Sequence, residues 1–388
     1  MVRVLVLGLG MAGVTFTVGL ERIKRGEIKP HGVPLANVDL GIKIDDIEVV
    51  GTVDVDARKV GSNAYKVAKE LYGMRNVPET LKNIKVFAGL GASRVKDLFP
   101  VHKEYGSVRE ELDAVYEIYK LLRPDVVIDV TTTQRGKVYR DWRKLEEDVL
   151  AGKAAPSQAY AYLALKYSAE VRPIAYVNLI PTPIANSPAI IEAAEKAGAV
   201  VLGDDGATGA TPLTADILEH MKERNRQVYS IAQFNIGGNT DFLALTDEAR
   251  NKAKELTKSS IVADILGYEP PHFIKPTGFL EPLGDKKFVA MHILFESFNG
   301  AVDEIIVNMR ISDSPALAGY MVDLARLAKL ALDKGLAGTI YEINAFYIKK
   351  PAPLGSKNLA RIVAYQNLLN LVEKLKRGTM LEESIQYR

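Results

Sequence analysis

The stretch Val2-Arg3-Val4-Leu5-Val6-Leu7-Gly8-Leu9-Gly10-Met11-Ala12-Gly13 decides the fold. Val2–Leu7 is a short, largely β-branched apolar run of the kind buried in parallel sheets. Gly8, Gly10 and Gly13 then spell G-x-G-x-x-G, and a helical pattern over Ala12–Arg25 follows directly. Each glycine has a physical role. Gly8 permits a tight turn, Gly10 lets the backbone approach a pyrophosphate, and Gly13 lets the helix pack close to the strand. The start of the helix, at Met11 and Ala12, presents N–H groups and partial positive charge to an anion. In this strand–turn–helix setting the motif points to a bound dinucleotide.

Working outward, Ile47–Asp54 (IEVVGTVD) reads as a second strand ending in Asp54, with Asp56 two residues on. A carboxylate there accepts ribose hydroxyls and repels a 2′-phosphate, so NAD is expected over NADP. Residues 26–46 carry Pro30, Pro34 and several glycines, read as an inserted surface loop that lengthens the usual spacing. Val126–Thr132, Pro173–Asn178 and Ala199–Leu202 read as further strands. Helical patterns lie between them at Val60–Tyr72, Val108–Leu122, Asp141–Tyr167 and Ala189–Ala197. Alternation of this kind predicts βαβ units and a parallel sheet.

After about residue 228 the pattern changes. Val228–Phe234, Phe273–Phe279, Phe288–Phe295 and Glu304–Ile311 read as strands, with one helix, Asp247–Leu266, among them. A helix at Ser314–Leu332, a strand at Thr339–Ile348 and a last helix at Leu359–Arg377 follow. The predicted fold class is therefore α/β: a Rossmann dinucleotide domain (1–235), an inserted α+β domain with a mostly antiparallel sheet (236–312), and C-terminal elements (313–388) returning to the first domain.

The 388-residue length suits about two domains. A hydrophobic share of 47% with 25% charged residues is the balance of a soluble globular protein. Net charge is +2, which offers no bulk field for nucleic acid or an anionic membrane. The absence of cysteine excludes disulfides, thiolate nucleophiles and cysteine metal sites. The N-terminal apolar run is too short and glycine-broken for an export signal, and no window approaches the roughly 20 apolar residues of a membrane helix. A cytoplasmic location is expected.

Four later segments carry chemistry. Gly203-Asp204-Asp205-Gly206-Ala207-Thr208-Gly209-Ala210-Thr211 is a strand-to-helix turn of small residues able to cradle a phosphate through backbone N–H groups. Asn235-Ile236-Gly237-Gly238-Asn239-Thr240-Asp241 follows. Lys254 and Lys258 stand four apart, sharing one helix face. Gly284-Asp285-Lys286-Lys287 precedes Ser312-Asp313-Ser314-Pro315, and Phe346-Tyr347-Ile348-Lys349-Lys350-Pro351 comes near the end. Taken singly, each also has a plain reading as a turn, a hairpin or a solvated stripe.

Taken in order over nearly the whole chain, these segments resemble the myo-inositol-1-phosphate synthase family. The resemblance implies redox-neutral, NAD-dependent conversion of D-glucose 6-phosphate to 1D-myo-inositol 3-phosphate, through oxidation at C5, enolisation, aldol closure and re-reduction. It implies catalytic roles for Lys254, Lys258, Lys287 and Lys349, with Asp205, Asp241 and Asp313 orienting lysines or nicotinamide. It places Gly8, Gly10, Met11, Ala12, Gly13, Asp54, Asp56, Thr131 and Asp205 at the cofactor, and Thr208, Gly209, Ala210, Thr211 and Asn239 at the sugar phosphate. It also implies a homo-oligomer, expected as a tetramer built through the inserted sheet. Packed ammonium groups stabilise oxyanions and lower one another's pKa, so one lysine can accept a proton near neutral pH. The substrate phosphate is an alternative enolising base.

The chain departs from the family in two places. The glycine loop lacks the Asn-Cys or Gly-Asn character of some members, and the 203–211 loop lacks a lysine that some carry. Metal use stays open: no His/Asp/Glu ligand cluster is visible, while a divalent ion between carboxylate and phosphate is compatible with the residues. Two other functions fit the glycine loop, an ordinary NAD-dependent dehydrogenase of a phosphorylated metabolite and a non-catalytic NAD-binding paralogue. Neither calls for four lysines together.

Overall fold

The run Val2–Leu7 forms β1, and its side chains explain why the strand is buried on both sides. Val2, Val4 and Val6 pack into one core while Leu5 and Leu7 pack into another. A computed structural model describes residues 1–92, 95–96, 99–102, 105–238 and 261–377. In it β1 (Val2–Leu7) is central to a six-stranded parallel sheet of order β3-β2-β1-β4-β5-β6. The other strands are β2 (Ile47–Asp54), β3 (Val86–Ala88), β4 (Val126–Asp129), β5 (Ala175–Asn178) and β6 (Val200–Leu202). At three residues, β3 is too short to announce itself by pattern.

One face of the sheet is covered by α1 (Met11–Lys24), the other by α3 (Val108–Leu122), α4 (Trp142–Leu150), α5 (Pro156–Glu170) and α6 (Pro188–Ala197). The single helix expected over Asp141–Tyr167 is two helices. Gly152, at φ +66°, ends the first, and Pro156 takes the first position of the second, where its missing N–H costs nothing. The helix expected over Val60–Tyr72 is shorter: Asn63 caps α2 (Ala64–Lys66), which continues as a π-helical turn to Leu71. Residues 26–46 are more than a surface loop, since Leu35 and Leu40 are buried and Leu35 N–H donates to the buried Asp323 carboxylate.

After α7 (Thr211–Glu223) the chain enters a four-stranded mixed sheet of order β10-β9-β7-β8. Its strands are β7 (Gln227–Gly237), β8 (His272–Phe279), β9 (Lys286–Glu296) and β10 (Val302–Ser312). β9 runs antiparallel to both neighbours, whereas β7 and β8 are parallel. Leu218 and Met221 of α7, with Val262 and Ile265 from a helical stretch at 261–266, cover its inner face. The rest of the helix expected from Asp247 lies outside the described residues.

The chain then returns: α8 (Asp313–Asp333) crosses β1, β4, β5 and β6, and its Met321, Leu324 and Leu327 enter the core that holds Val4 and Val6. The strand expected at Thr339–Ile348 is instead a helix, α9 (Tyr341–Tyr347). Strand-like contact persists only at its two ends among the described residues, a parallel bridge from the preceding Gly338 to Val200 and an antiparallel bridge from Ile348 to Gly206. Asn344 explains the outcome: buried inside α9, it accepts from Gly203 N–H and donates to Thr339 Oγ1 and the Ala352 carbonyl. A fixed polar network overrides the weak strand preference of β-branched and aromatic residues. The last helix is α10 (Arg361–Arg377).

Candidate active site

The carboxyl ends of β1, β4, β5 and β6 open into one cleft, at the place where parallel α/β sheets bind ligands. At β1 the glycines differ sharply in surroundings. Gly8 sits at φ +90°, and a Cβ there would fall 2.8 Å from the Val130 carbonyl oxygen. A Cβ on Gly13 would fall 2.4 Å from the Gly8 carbonyl oxygen, whereas one on Gly10 would meet nothing within 4 Å. The turn is thus closed at its two ends and open in the middle. Gly10 is the N-cap of α1 and no side chain caps that helix. An open glycine before uncapped helical N–H groups fits a dinucleotide pyrophosphate. Met11 and Ala12 line the same cleft, as does Thr131, whose hydroxyl donates to the buried Asp129.

At the end of β2, Asp54 is buried. Its Oδ2 accepts from Leu9 N–H (2.9 Å) and Lys59 Nζ (3.0 Å), and its Oδ1 from the N–H groups of Val55 and Asp56. Asp56 is buried too and is held by Arg58. Burial works against ionisation of Asp56, but hydrogen bonds from Arg58 and the Lys59 charge outweigh it, and its carboxyl lies below the usual range. Burial likewise penalises Lys59, yet Asp54 and Asp56 hold its pKa above the ordinary value.

At the end of β6 two adjacent aspartates take opposite parts. Asp204 is fully buried and accepts five hydrogen bonds, from Asn178 Nδ2, Ile184 N, Ala185 N, Asn186 N and Asn186 Nδ2. Burial pushes its carboxyl up to about 6 against those donors. Asp205 turns at φ +69° into the cleft. Its Oδ1 accepts from Lys349 Nζ at 3.0 Å, while its buried Oδ2 has no hydrogen-bond partner among the described residues.

Lys349 reaches this point through backbone pairing. Lys349 N–H donates to Asp205 O, Lys350 N–H to Asp204 O, and Ala207 N–H to Tyr347 O. Arg361 secures the same segment by donating to the carbonyls of Ala345 and Ile348 at the end of α9. Burial lowers Arg361 to about 10, outweighing the opposing influence of Tyr320 and Asp216.

The second sheet contributes the opposite wall. Lys287, near the start of β9, is buried and ion-paired with Asp313, the first residue of α8. Asp285 fixes that junction: its carboxylate accepts from both Ser314 N–H (3.1 Å) and Ser314 Oγ (2.6 Å). The loop before α7 closes the gap. Thr208 lines the cleft, and a Cβ on Gly209 would lie 3.6 Å from Lys287 Nζ. Ala210 is the N-cap of α7 and Thr211 its first residue, with no side chain capping that end.

Asp205, Lys287, Asp313 and Lys349 therefore meet at one cleft with Met11 and Thr131, and each of these two lysines faces a carboxylate rather than another ammonium group. Lys254, Lys258, Asp241 and Asn239 lie outside the described residues. Sequence reasoning passed over Asp204, Asp285 and Ser314 as site residues. A Gly-Asp-Asp triplet does not say which aspartate faces the ligand, and the Asp285–Ser314 contact spans two elements. Among the described residues no group of three His, Asp or Glu side chains is arranged to hold a metal ion.

Residues 209–314 match the model of the myo-inositol-1-phosphate synthase family. The crystal structure of a myo-inositol-1-phosphate synthase-related protein from Thermotoga maritima is 47% identical, covers 96% of this chain and 98% of its own, and superposes with a TM-score of 0.89. The chain belongs to the myo-inositol-1-phosphate synthase family. Within it, inositol-3-phosphate synthase of Mycolicibacterium smegmatis is 25% identical over 96% of this chain and 98% of its own length. Inositol-3-phosphate synthase of Caenorhabditis elegans, at 18% identity, covers 96% of this chain and 85% of its own with a TM-score of 0.80, a likeness of fold. The family match spans the Gly209 loop, the mixed sheet, Lys287 and Asp313.

Proposed function

We propose that this chain is an NAD-dependent inositol-3-phosphate synthase that cyclises D-glucose 6-phosphate to 1D-myo-inositol 3-phosphate. The observation that carries the reading is the shared cleft. Lys287–Asp313 and Lys349–Asp205 face the open glycine of the dinucleotide turn, so cations stand where oxyanions develop beside a redox cofactor. When bound, the nicotinamide supplies a reversible hydride acceptor for C5.

Lys349, relayed to Asp205, takes and returns the C5 hydroxyl proton. The substrate phosphate takes the C6 proton, and Lys287 neutralises the C1 oxygen as the resulting enolate closes on the aldehyde. The backbone of Gly206–Thr211 and the start of α7 receive the phosphate, with Thr208 as hydroxyl donor. Lys254, Lys258, Asp241 and Asn239 complete the set in this reading. A divalent ion between phosphate and carboxylate is compatible with it but no step depends on one.

Residues 1–235, 236–312 and 313–388 are the proposed units. The outer face of the second sheet leaves Phe234, Phe273 and Ile306 exposed, the last at 63%. Phe234 and Phe273, whose rings meet at a tilt on an uncovered sheet face, support assembly of a tetramer through it. Light scattering at micromolar concentration should report about four chains; a monomer would remove this part. No helix among the described residues is long and apolar enough to cross a membrane, and a cytoplasmic site of action is part of the proposal. Incubation with glucose 6-phosphate and a catalytic amount of NAD, with NMR of the product, tests the whole reading. The cyclitol phosphate should accumulate without net NADH. Stoichiometric NADH would mean an ordinary dehydrogenase.

A further inference from the structure

The lysine cleft lies over β4–β6, and Gly10 marks the pyrophosphate. The adenosine half of a dinucleotide therefore extends the other way, over the ends of β2 and β3. Asp54 stands there as the expected ribose acceptor. An ionised carboxylate offers about four lone-pair positions, and the four donors on Asp54 (Leu9 N, Lys59 Nζ, Val55 N and Asp56 N) occupy them. Its role is to hold the glycine turn at Leu9.

Asp56 is committed as well. Its Oδ1 accepts from Arg58 N (3.0 Å) and Nε (2.9 Å), and its Oδ2 from Nη2 (2.6 Å). The group that reaches solvent at this corner is the Arg58 guanidinium, whose side chain is 51% exposed against 2% for Asp56. The segment carrying it is rigidly placed: Ala57 N–H donates to Pro100 O, and His102 N–H to Val55 O. Two carboxylates and two cations, Arg58 and Lys59, leave the corner with no net charge.

We propose that the Asp56–Arg58 fork, and not Asp54, decides between the two nicotinamide dinucleotides. Arg58 has the planar donor pair that a 2′-phosphate needs. Asp56 already fills that fork and cancels its charge, so a phosphorylated ribose is refused while an unmodified one is tolerated. Loss of the Asp56 carboxylate alone frees the guanidinium, turns the corner cationic and admits NADP. The inference rests on the dinucleotide reading above.

The test is titration of the full-length protein with NAD and with NADP. Asp56→Asn should tighten NADP binding about tenfold or more, with a smaller change for NAD, and Asp56→Asn/Arg58→Ala should lose that gain. Asp54→Asn should weaken both dinucleotides alike, because it loosens the turn that both share. If Asp56→Asn fails to fold, Arg58→Ala in the wild-type background decides. It should weaken NADP about tenfold further, by leaving Asp56 unbalanced, and barely affect NAD. An unchanged NADP affinity there, an unchanged NAD-to-NADP ratio in Asp56→Asn, or a reversal of preference by Asp54→Asn alone overturns the proposal. NAD binding with an unaltered ratio removes this inference only. Failure of the wild type to bind either dinucleotide removes the dinucleotide reading with it.

Discussion

The two ends of the cleft are built differently. The proposed nucleotide end is backbone: a turn of three glycines and an uncapped helix start, all within Gly8–Gly13. The proposed reacting end is side chains, and Asp205, Lys287, Asp313 and Lys349 come from four separate segments. A backbone site tolerates most side-chain changes nearby but no misplaced Cβ. A side-chain site tolerates a shifted backbone only while each ion pair survives. The same cleft should therefore fail in two distinguishable ways.

The largest effect belongs to the side-chain end. Lys287→Ala and Lys349→Ala should each lower turnover by about 100- to 1,000-fold, the usual cost of a preorganised donor to a developing oxyanion. NAD binding should stay intact, because none of its proposed contacts involves these lysines. Steady-state rates together with NAD titration check both halves, and near-wild-type turnover in either variant breaks the division.

At the backbone end two neighbouring glycines sharpen the comparison. Gly10→Val points a side chain into open space, so melting should be unchanged while NAD affinity falls more than about tenfold. Gly13→Ala puts a Cβ 2.4 Å from a backbone oxygen. Helix and strand must separate, and stability should fall by about 1–3 kcal/mol. Thermal melts and titration on the same samples distinguish the two. Equal melting temperatures would show that Gly13 is not held by packing.

The smallest effect concerns the aspartate pair that joins the two ends. Asp204→Asn sets an amide N–H among five donors and should cost about 1–2 kcal/mol by urea unfolding. Asp205→Asn should leave stability near wild type and strike turnover instead. If both variants behaved alike, the split between an anchoring and a cleft-facing aspartate would be lost.

Much of the architecture is legible in the chain. Val2–Leu7, Ile47–Asp54 and the strands from 227 onward declare themselves, because a buried parallel strand must be apolar throughout and a half-covered one must alternate. The reading fails where tertiary contacts outweigh local preference. Residues 341–347 look like a strand, but Asn344 is committed to Gly203, Thr339 and Ala352, and the segment coils. Residues 26–46 look like solvent-facing loop, yet Asp323, nearly 290 positions away, secures Leu35.

The site divides along the same line. A glycine turn is partly a local object: Gly13 closes against Gly8 within the motif, so spacing specifies that approach, whereas Gly8 against Val130 and Leu9 N–H on Asp54 need the packed sheet. Which carboxylate faces a ligand is not local. Asp54 looks like a ribose acceptor until Leu9, Lys59 and two backbone groups fill its lone pairs, and Asp204 and Asp205 are indistinguishable until one is buried under five donors. Sequence by itself determined the parallel sheet and the glycine turn, and named Lys287 and Lys349 as candidates. Only the tertiary structure decided which charges meet, because ion pairs such as Lys287–Asp313 and Lys349–Asp205 exist only once two sheets and α8 have packed into place.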